Sequence, residues 1–129
     1  MIQPISSTKI YPPFSNYSHG VLVPQNSQLL FCSGQLGIAA DGNVPEGCEA
    51  QSRLCFANIA SVLEAAGMAL ADIVRINAYV TGRDHLPGYM AVRNELFGEP
   101  YPASTLMIVS GFARPEFLVE IEAVAANQT

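Results

Sequence analysis

The sequence contains no tryptophan and a single lysine, Lys9, and only 13% of its residues are charged. Eleven acidic residues against six basic ones give a net charge of -5, and the arginines are spread along the chain. A protein that binds a nucleic-acid backbone needs a cluster of basic side chains, and this sequence has none. The composition therefore argues against nucleic acid as a partner.

Long apolar runs are also missing. No run reaches the roughly 18 residues that a membrane-spanning helix needs, and none follows a positively charged segment as in a signal peptide. The three cysteines, Cys32, Cys48 and Cys55, are odd in number and lie in or beside apolar stretches. We therefore expect free thiols, no contact with a membrane, and a reducing compartment, namely the cytoplasm.

Patterns for metals and phosphates are absent as well. The two histidines, His19 and His85, are far apart, and Cys48 and Cys55 are separated by more than the usual zinc spacing. The glycines of the segment 33–37 come without the lysine of a phosphate-binding loop. The sequence therefore argues against a metal site and against a phosphate-binding loop.

Half of the 129 residues are apolar, which is enough to build a hydrophobic core. This length and composition predict one domain over residues 1–129. Because the charge is low and the apolar content is high, we expect part of the apolar surface to be covered by other subunits.

Apolar residues recur at three- and four-residue steps over 46–66, which predicts a helix, with Gly67 as its left-handed cap. A second helix is expected over 85–97, capped by Asp84. The order of the elements predicts an α+β fold, a mixed six-stranded sheet with both helices on one face. Five of these strands have a placed segment, near 20–23, 29–38, 74–81, 104–109 and 117–124.

Glu120 and Glu122 stand two residues apart on the last expected strand, so both side chains point to one face. Val119, Ile121 and Ala123 then take the opposite face, toward the helices. A solvated sheet face explains this pattern, and so does a carboxylate that acts as a general acid or base at a subunit boundary.

Six segments, in order, resemble the Rid family of reactive-intermediate (enamine/imine) deaminases, also called YjgF or L-PSP proteins. They cover nearly the whole chain, and their order and spacing make the resemblance specific. The segments are Tyr17-Ser18 before Gly20-Val21, Ser33-Gly34-Gln35, and the stretches 49–53, 63–67, 97–103 and 119–123.

The resemblance implies a chorismate-mutase-like fold and a homotrimer with a barrel-like centre and three clefts between subunits. Each cleft would bind a small imine or enamine acid. Water adds to the imine carbon and ammonia leaves, and no cofactor is needed because an imine is already electrophilic. In this family a glutamate on the last strand positions or activates the water, which assigns that role to Glu120. Tyr17 would line the pocket, and the backbone at Ser33 and Gly34 would orient the substrate.

The chain departs from the family pattern at the residue that binds the substrate carboxylate. Active members carry an arginine there, and this sequence has Ser104. Leu106 stands where a small residue is common, and Met90 where active members have asparagine. Losing a charged two-pronged contact costs on the order of 2–5 kcal/mol. The single hydrogen bond that Ser104 can donate contributes only about 0.5–1.5 kcal/mol to the binding free energy.

Three explanations of this departure stay open. Arg114 reaches into the cleft from its loop and replaces the charge. Alternatively, the substrate is a different imine or enamine, larger, uncharged or more apolar, that suits a cleft lined by Ser104, Leu106 and Met90. In the third case the trimer binds a metabolite without turnover, or acts as a holdase-like protein.

Overall fold

A mixed four-stranded sheet is the centre of the fold in the computed structural model, which describes residues 2–128. The strand order is β3-β6-β4-β5, and a separate two-stranded antiparallel ribbon pairs β1 with β2. Helix α2 makes the crossover between β4 and β5, the parallel pair, and the other pairs are antiparallel. The elements are β1 (Gln3–Ile5), β2 (Gly20–Leu22), β3 (Gln28–Leu36), α1 (Cys48–Ala65), β4 (Ile73–Val80), α2 (Leu86–Leu96), β5 (Ala103–Ile108) and β6 (Val119–Asn127).

The α+β fold with a mixed sheet is confirmed, but the single six-stranded sheet is wrong. Over residues 2–128 there are six strands, divided into the four-stranded sheet and the ribbon. Strand β1 was not expected, because three exposed residues around Pro4 have no apolar periodicity to reveal them. The two parts meet at one bridge, where Ser18 pairs in parallel with Ala103.

Strands β4 and β6 alternate as the sequence predicted. On β6, Val119, Ile121, Ala123 and Ala125 are buried, and the residues between them are half-buried. Both helices supply the other half of the core, which joins Phe56, Ile59 and Leu63 of α1 to Tyr89 and Val92 of α2. Burial of these side chains in one cluster holds the sheet and the helices together.

Two predicted helix caps have different outcomes. Gly67 has a φ of 73°, the left-handed conformation expected of it. Asp84 does not cap α2: it lies in a short 3-10 turn, and His85 occupies the cap position without a side-chain hydrogen bond. Pro87 in the first turn of α2 starts the helix in its place, because its fixed φ suits that position.

The sheet face opposite the helices is open. It carries Leu29 and Phe31 of β3 and Met107 of β5, which are 53%, 71% and 53% exposed. Exposed apolar side chains on neighbouring strands are typical of a surface that another protein copy covers.

The helices of residues 2–128 are too short or too polar for a membrane-spanning segment.

A buried glutamine connects α1 to the start of β6. Gln51 is 2% exposed, and its amide nitrogen donates to the carbonyls of Pro45 and Glu116, at 3.0 and 2.9 Å. Its amide oxygen accepts from the backbone N–H of Leu118 at 2.9 Å. One side chain therefore fixes the backbone at Leu118, directly before β6 begins and two residues before Glu120.

We predict that Gln51→Leu destabilises the fold while the matched surface change Glu64→Gln does not. Leucine fills a similar volume but leaves the Leu118 N–H and two carbonyls without partners. Each unsatisfied buried group costs about 1–3 kcal/mol. Urea unfolding at one fixed protein concentration measures the change, and equal midpoints for the two variants would contradict this role of Gln51.

Candidate functional site

Glu120 lies beside a bulge in strand β3. The pairing of β3 with β6 shifts register between Cys32 and Gln35, so Ser33 and Gly34 bulge out of the ladder. A Cβ atom added at Gly34 would lie 2.9 Å from the carboxyl carbon of Glu120. Glycine is therefore needed for this close approach. The structure brings together three of the residues that the resemblance implied, from positions far apart in the sequence.

Glu122, on the same face, is engaged in a different network. Its Oε1 accepts from the Tyr79 hydroxyl at 2.5 Å and from the Asn77 amide at 3.3 Å. The hydrogen bond to Glu122 raises the pKa of Tyr79. Glu120 takes part in no such hydrogen bond within residues 2–128, so its carboxylate is the one available for a ligand or a water molecule.

Tyr17 lies elsewhere, on a loop that packs against the start of β5. The Ser18 N–H donates to the Pro102 carbonyl at 3.1 Å, and its hydroxyl donates to the Tyr101 carbonyl at 2.6 Å. The Tyr17 hydroxyl accepts from the Phe14 N–H at 3.2 Å. The loop thus holds a half-buried Tyr17 close to the segment that precedes Ser104.

Ser104, Leu106 and Met90 lie on the helix side of the sheet. Ser104 and Leu106 pair in register with Ile76 and Ala78, which are fully buried. Leu106 and Met90 both pack against the core while staying partly exposed. These three residues and Tyr17 therefore belong to one region, between α2, β5 and the N-terminal loop.

The two groups cannot form one pocket within a single chain. We name Ser33, Gly34 and Glu120 half-site A, and Tyr17, Met90, Ser104 and Leu106 half-site B. Glu120 and Ser104 are two strands and three register positions apart. Strand spacing and rise then put their Cα atoms roughly 14 Å apart. They also point to opposite faces of the sheet, so the two half-sites are separate within one chain.

Arg114 has partners of its own. Its Nε lies 3.3 Å from a carboxylate oxygen of Glu116, and its guanidinium lies over the ring of Phe117 at 4.7 Å. Its side chain is also half exposed. A substrate carboxylate would have to compete with Glu116 for this cation.

Sequence reasoning missed a second arginine. Arg93 of α2 is 3% exposed and Tyr89, one turn earlier, is fully buried. The Arg93 guanidinium lies 6.0 Å from the Tyr89 ring. The available signal was a charged residue inside the apolar side of α2, directly after Val92.

The cysteine thiols are unsuited to nucleophilic chemistry. All three are free and buried. Burial, with smaller contributions from Cys48 and Glu120, raises the pKa of Cys55 to about 12. Burial also raises the pKa of Cys32 and Cys48. Thiolates are the reactive form, and here they are disfavoured. Over residues 2–128, no three His, Cys, Asp or Glu side chains lie together in a possible metal site.

Comparison with known proteins identifies relatives along the whole chain. A family model described as Endoribonuclease L-PSP matches residues 8–127. The mitochondrial protein mmf2 of Schizosaccharomyces pombe is 35% identical over 102 residues, which cover 77% of this chain and 80% of that protein. The 2-iminobutanoate/2-iminopropanoate deaminase of Dermatophagoides farinae is 29% identical over 123 residues, 93% of each chain.

A solved structure has the same architecture. It is YyfB of Yersinia pestis, described as a protein of unknown function of the conserved Rid protein family. The two chains share 32% of their residues, the match covers 98% of both, and the TM-score is 0.84. The similarity therefore extends to the fold as well as to the sequence.

We predict that Gly34→Ala and Gly37→Ala, two similar changes at one end of β3, have different effects on stability. The new methyl group at Gly34 meets the mobile end of the Glu120 side chain, which can rotate away. At Gly37 it meets the Cα of Gln51 at 2.8 Å, and a helix backbone cannot move as easily. We expect Gly37→Ala to lower the free energy of unfolding by on the order of 1–3 kcal/mol. Gly34→Ala should change it by less than about 1 kcal/mol.

Urea unfolding of both variants at one protein concentration measures the difference. The loss of chain entropy that alanine causes in the unfolded state is common to the two variants and cancels. A Gly34→Ala variant as unstable as Gly37→Ala would show that the Glu120 side chain is rigidly held.

Proposed function

Since the chain belongs to the L-PSP family, also known as the Rid family, we propose that it is a cofactor-free deaminase that hydrolyses imines or enamines and releases ammonia. The observation that supports this proposal is the close approach of the Glu120 carboxylate to Gly34, within the bulge of β3. In the proposal Glu120 is the proton acceptor, and the backbone of this bulge binds the polar end of a small substrate. The imine deaminase among the relatives supports the same reaction class.

In the proposed reaction, Glu120 takes a proton from a water molecule as the water oxygen bonds to the imine carbon. The electron pair of the C=N π bond moves to nitrogen, and Glu120 passes its proton to that nitrogen, which gives a neutral carbinolamine. Glu120 then takes the proton of the new hydroxyl group and delivers it to the amine nitrogen. The C–N bond breaks, the C=O bond forms and ammonia leaves, so the Glu120 carboxylate ends unprotonated as it began. The backbone at Ser33 and Gly34 orients the substrate, and Tyr17 closes the pocket.

We propose that the working form is a homotrimer with three clefts around a barrel-like centre. Half-sites A and B lie near opposite edges of the sheet, so copies joined head to tail bring A of one against B of the next. Such an interface closes into a ring when the rotation allows it. The exposed Leu29, Phe31 and Met107 would be covered at the open face.

The proposed substrate is an imine or enamine other than the usual small 2-imino acid. In half-site B, Leu106 and Met90 offer apolar surface to a larger or more apolar substrate. Ser104 offers one hydroxyl there. Arg114 is a weaker member of the proposed site, because Glu116 and Phe117 already contact its guanidinium.

The endoribonuclease activity in the family's name is not part of this proposal, because the chain is acidic and lacks a basic cluster. The partner is a small molecule. Free thiols suit a reducing compartment, and we place the protein in the cytoplasm.

We predict that Glu120→Gln lowers the rate of ammonia release at least 100-fold, the lower end of what a general acid or base contributes. The matched control is Glu122→Gln, which makes the same change two residues along the same face and should stay within about threefold of wild type. The assay uses freshly generated acidic, neutral and aromatic imines. Size-exclusion chromatography checks that both variants assemble like wild type.

A wild-type protein that matches buffer across the panel would refute the deaminase proposal. Ligand-dependent shifts in melting temperature would then identify a non-catalytic metabolite-binding trimer, and binding of an apolar dye to the assembled protein would indicate a holdase-like role. Equal losses in the two glutamine variants would remove Glu120 from its proposed role.

We further predict that inactive variants of different half-sites complement one another. Glu120→Gln damages half-site A and Tyr17→Ala damages half-site B. When the two are unfolded together and refolded at equal amounts, about one quarter of head-to-tail clefts combine two intact half-sites. The mixture should regain about a quarter of wild-type activity. Activity no higher than the mean of the two parents would show that each chain holds its own site.

A further inference from the structure

Arg93 is a buried cation without an anionic partner in the part of the chain that the structure describes. It is 3% exposed, and among residues 2–128 no carboxylate lies within ion-pair distance of its guanidinium. One terminal nitrogen donates to the Ser15 hydroxyl at 2.6 Å and to the Asn94 side-chain oxygen at 3.2 Å. Its Nε has no hydrogen-bond partner. A charge taken out of water in this way is normally paired.

A second unpartnered donor lies beside it. The Tyr89 hydroxyl is buried and has no hydrogen-bond partner among residues 2–128. Burial raises the pKa of Tyr89 to about 12, and nearby Arg93 and Ser104 partly oppose that rise. The hydroxyl therefore stays protonated and able to donate. Arg93, Tyr89 and Ser104 together form a cluster of donors, which we name the donor cluster.

The donor cluster adjoins half-site B. Ser104 belongs to both groups, and Met90 of half-site B follows Tyr89 directly on α2. The loop that carries Tyr17 covers Arg93 through Ser15, which is held there by a neutral hydrogen bond. An incoming anion forms a stronger, charge-assisted bond with a guanidinium than a hydroxyl does. It can therefore displace Ser15 from Arg93.

We propose that Arg93 binds the carboxylate of the substrate in this chain, with the Tyr89 and Ser104 hydroxyls as further donors. This inference rests on the proposed function, since it places an acidic imine in the same cleft. It narrows the substrate class to imines or enamines that bear a carboxylate, held by a cation on α2 in place of one on β5. A purely structural Arg93, which only anchors Ser15 near the C-terminal end of α2, is the competing explanation.

The binding test needs no turnover. Sodium pyruvate, a carboxylate product analogue, and pyruvamide, its uncharged counterpart, are added to the whole protein and the melting temperature is measured. Wild type should be stabilised by pyruvate and not by pyruvamide, and Arg93→Gln should lose that response. Ser15→Ala, which removes the covering hydroxyl and keeps the cation, should keep or increase it. Equal stabilisation by pyruvate and inorganic phosphate would overturn the carboxylate assignment.

The kinetic test separates binding from anchoring. On a carboxylate-bearing imine, Arg93→Gln should lower kcat/KM more than tenfold, mainly through KM, and Arg93→Lys should recover part of the loss. On the corresponding neutral imine, which has no carboxylate for Arg93 to bind, the loss caused by Arg93→Gln should be much smaller than on the charged imine. Equal losses on both substrates would show that Arg93 only anchors the loop.

The two proposals fail separately. If wild type hydrolyses no imine and the Arg93-dependent response to pyruvate remains, the deaminase proposal fails and the Arg93 assignment stands. If hydrolysis depends on Glu120 but neither binding nor kinetics distinguishes charged from neutral probes, the Arg93 assignment fails alone.

Discussion

Strand β6 is the element on which the rest of the structure depends, because it lies inside the sheet and pairs with both β3 and β4. Its apolar residues are buried under the helices, and Glu120 and Glu122 alternate with them on the open face. A slip of one residue would turn both carboxylates into the core and expose Ile121. The cost of burying unpaired carboxylates therefore fixes the register that presents Glu120.

Two further contacts fix the position of Glu120 within the candidate site. Gln51 fixes the backbone directly before β6 begins, since one side chain satisfies three backbone groups of the segments around it. The bulge at Ser33 and Gly34 then brings a strand edge against Glu120, in a space that a side chain would fill. The Glu120 carboxylate is therefore positioned by the backbone of the β3 bulge and by the packing of the buried face of β6.

In the proposed homotrimer, the division into two half-sites would require copies of the chain to assemble before a cleft is complete. Half-site A faces the open side of the sheet, and half-site B lies between the sheet and α2, near the opposite edge. Beside half-site B, the buried Nε of Arg93 and the Tyr89 hydroxyl have no hydrogen-bond partner among residues 2–128, which is costly. Unsatisfied groups of this kind are the features that a stability-driven sequence would remove.

The sequence by itself determined the periodic features of this protein. The stripe of α1, the alternation of β4 and β6, the shared face of Glu120 and Glu122, and Gly67 as a cap all follow from spacing. The helix period of 3.6 residues and the strand period of 2 residues can be read directly from the order of apolar and polar residues. The family motifs added Tyr17, Ser33 and Gly34 as candidates, and also drew attention to Ser104.

Only the tertiary structure decided which residues from distant parts of the sequence lie next to each other. It showed that the ribbon β1-β2 is separate from the main sheet and that Arg114 forms an ion pair with Glu116. It also showed that the side chains of Ser104 and Glu120 lie on opposite faces of the sheet. It also showed that Arg93, one charged residue among the apolar positions of α2, is buried without a carboxylate beside Tyr89. These relations depend on contacts between residues far apart in the sequence, such as Arg93 with Ser15, which are 78 positions apart. Local periodicity does not encode such pairings, because they arise only when separate elements pack into one core.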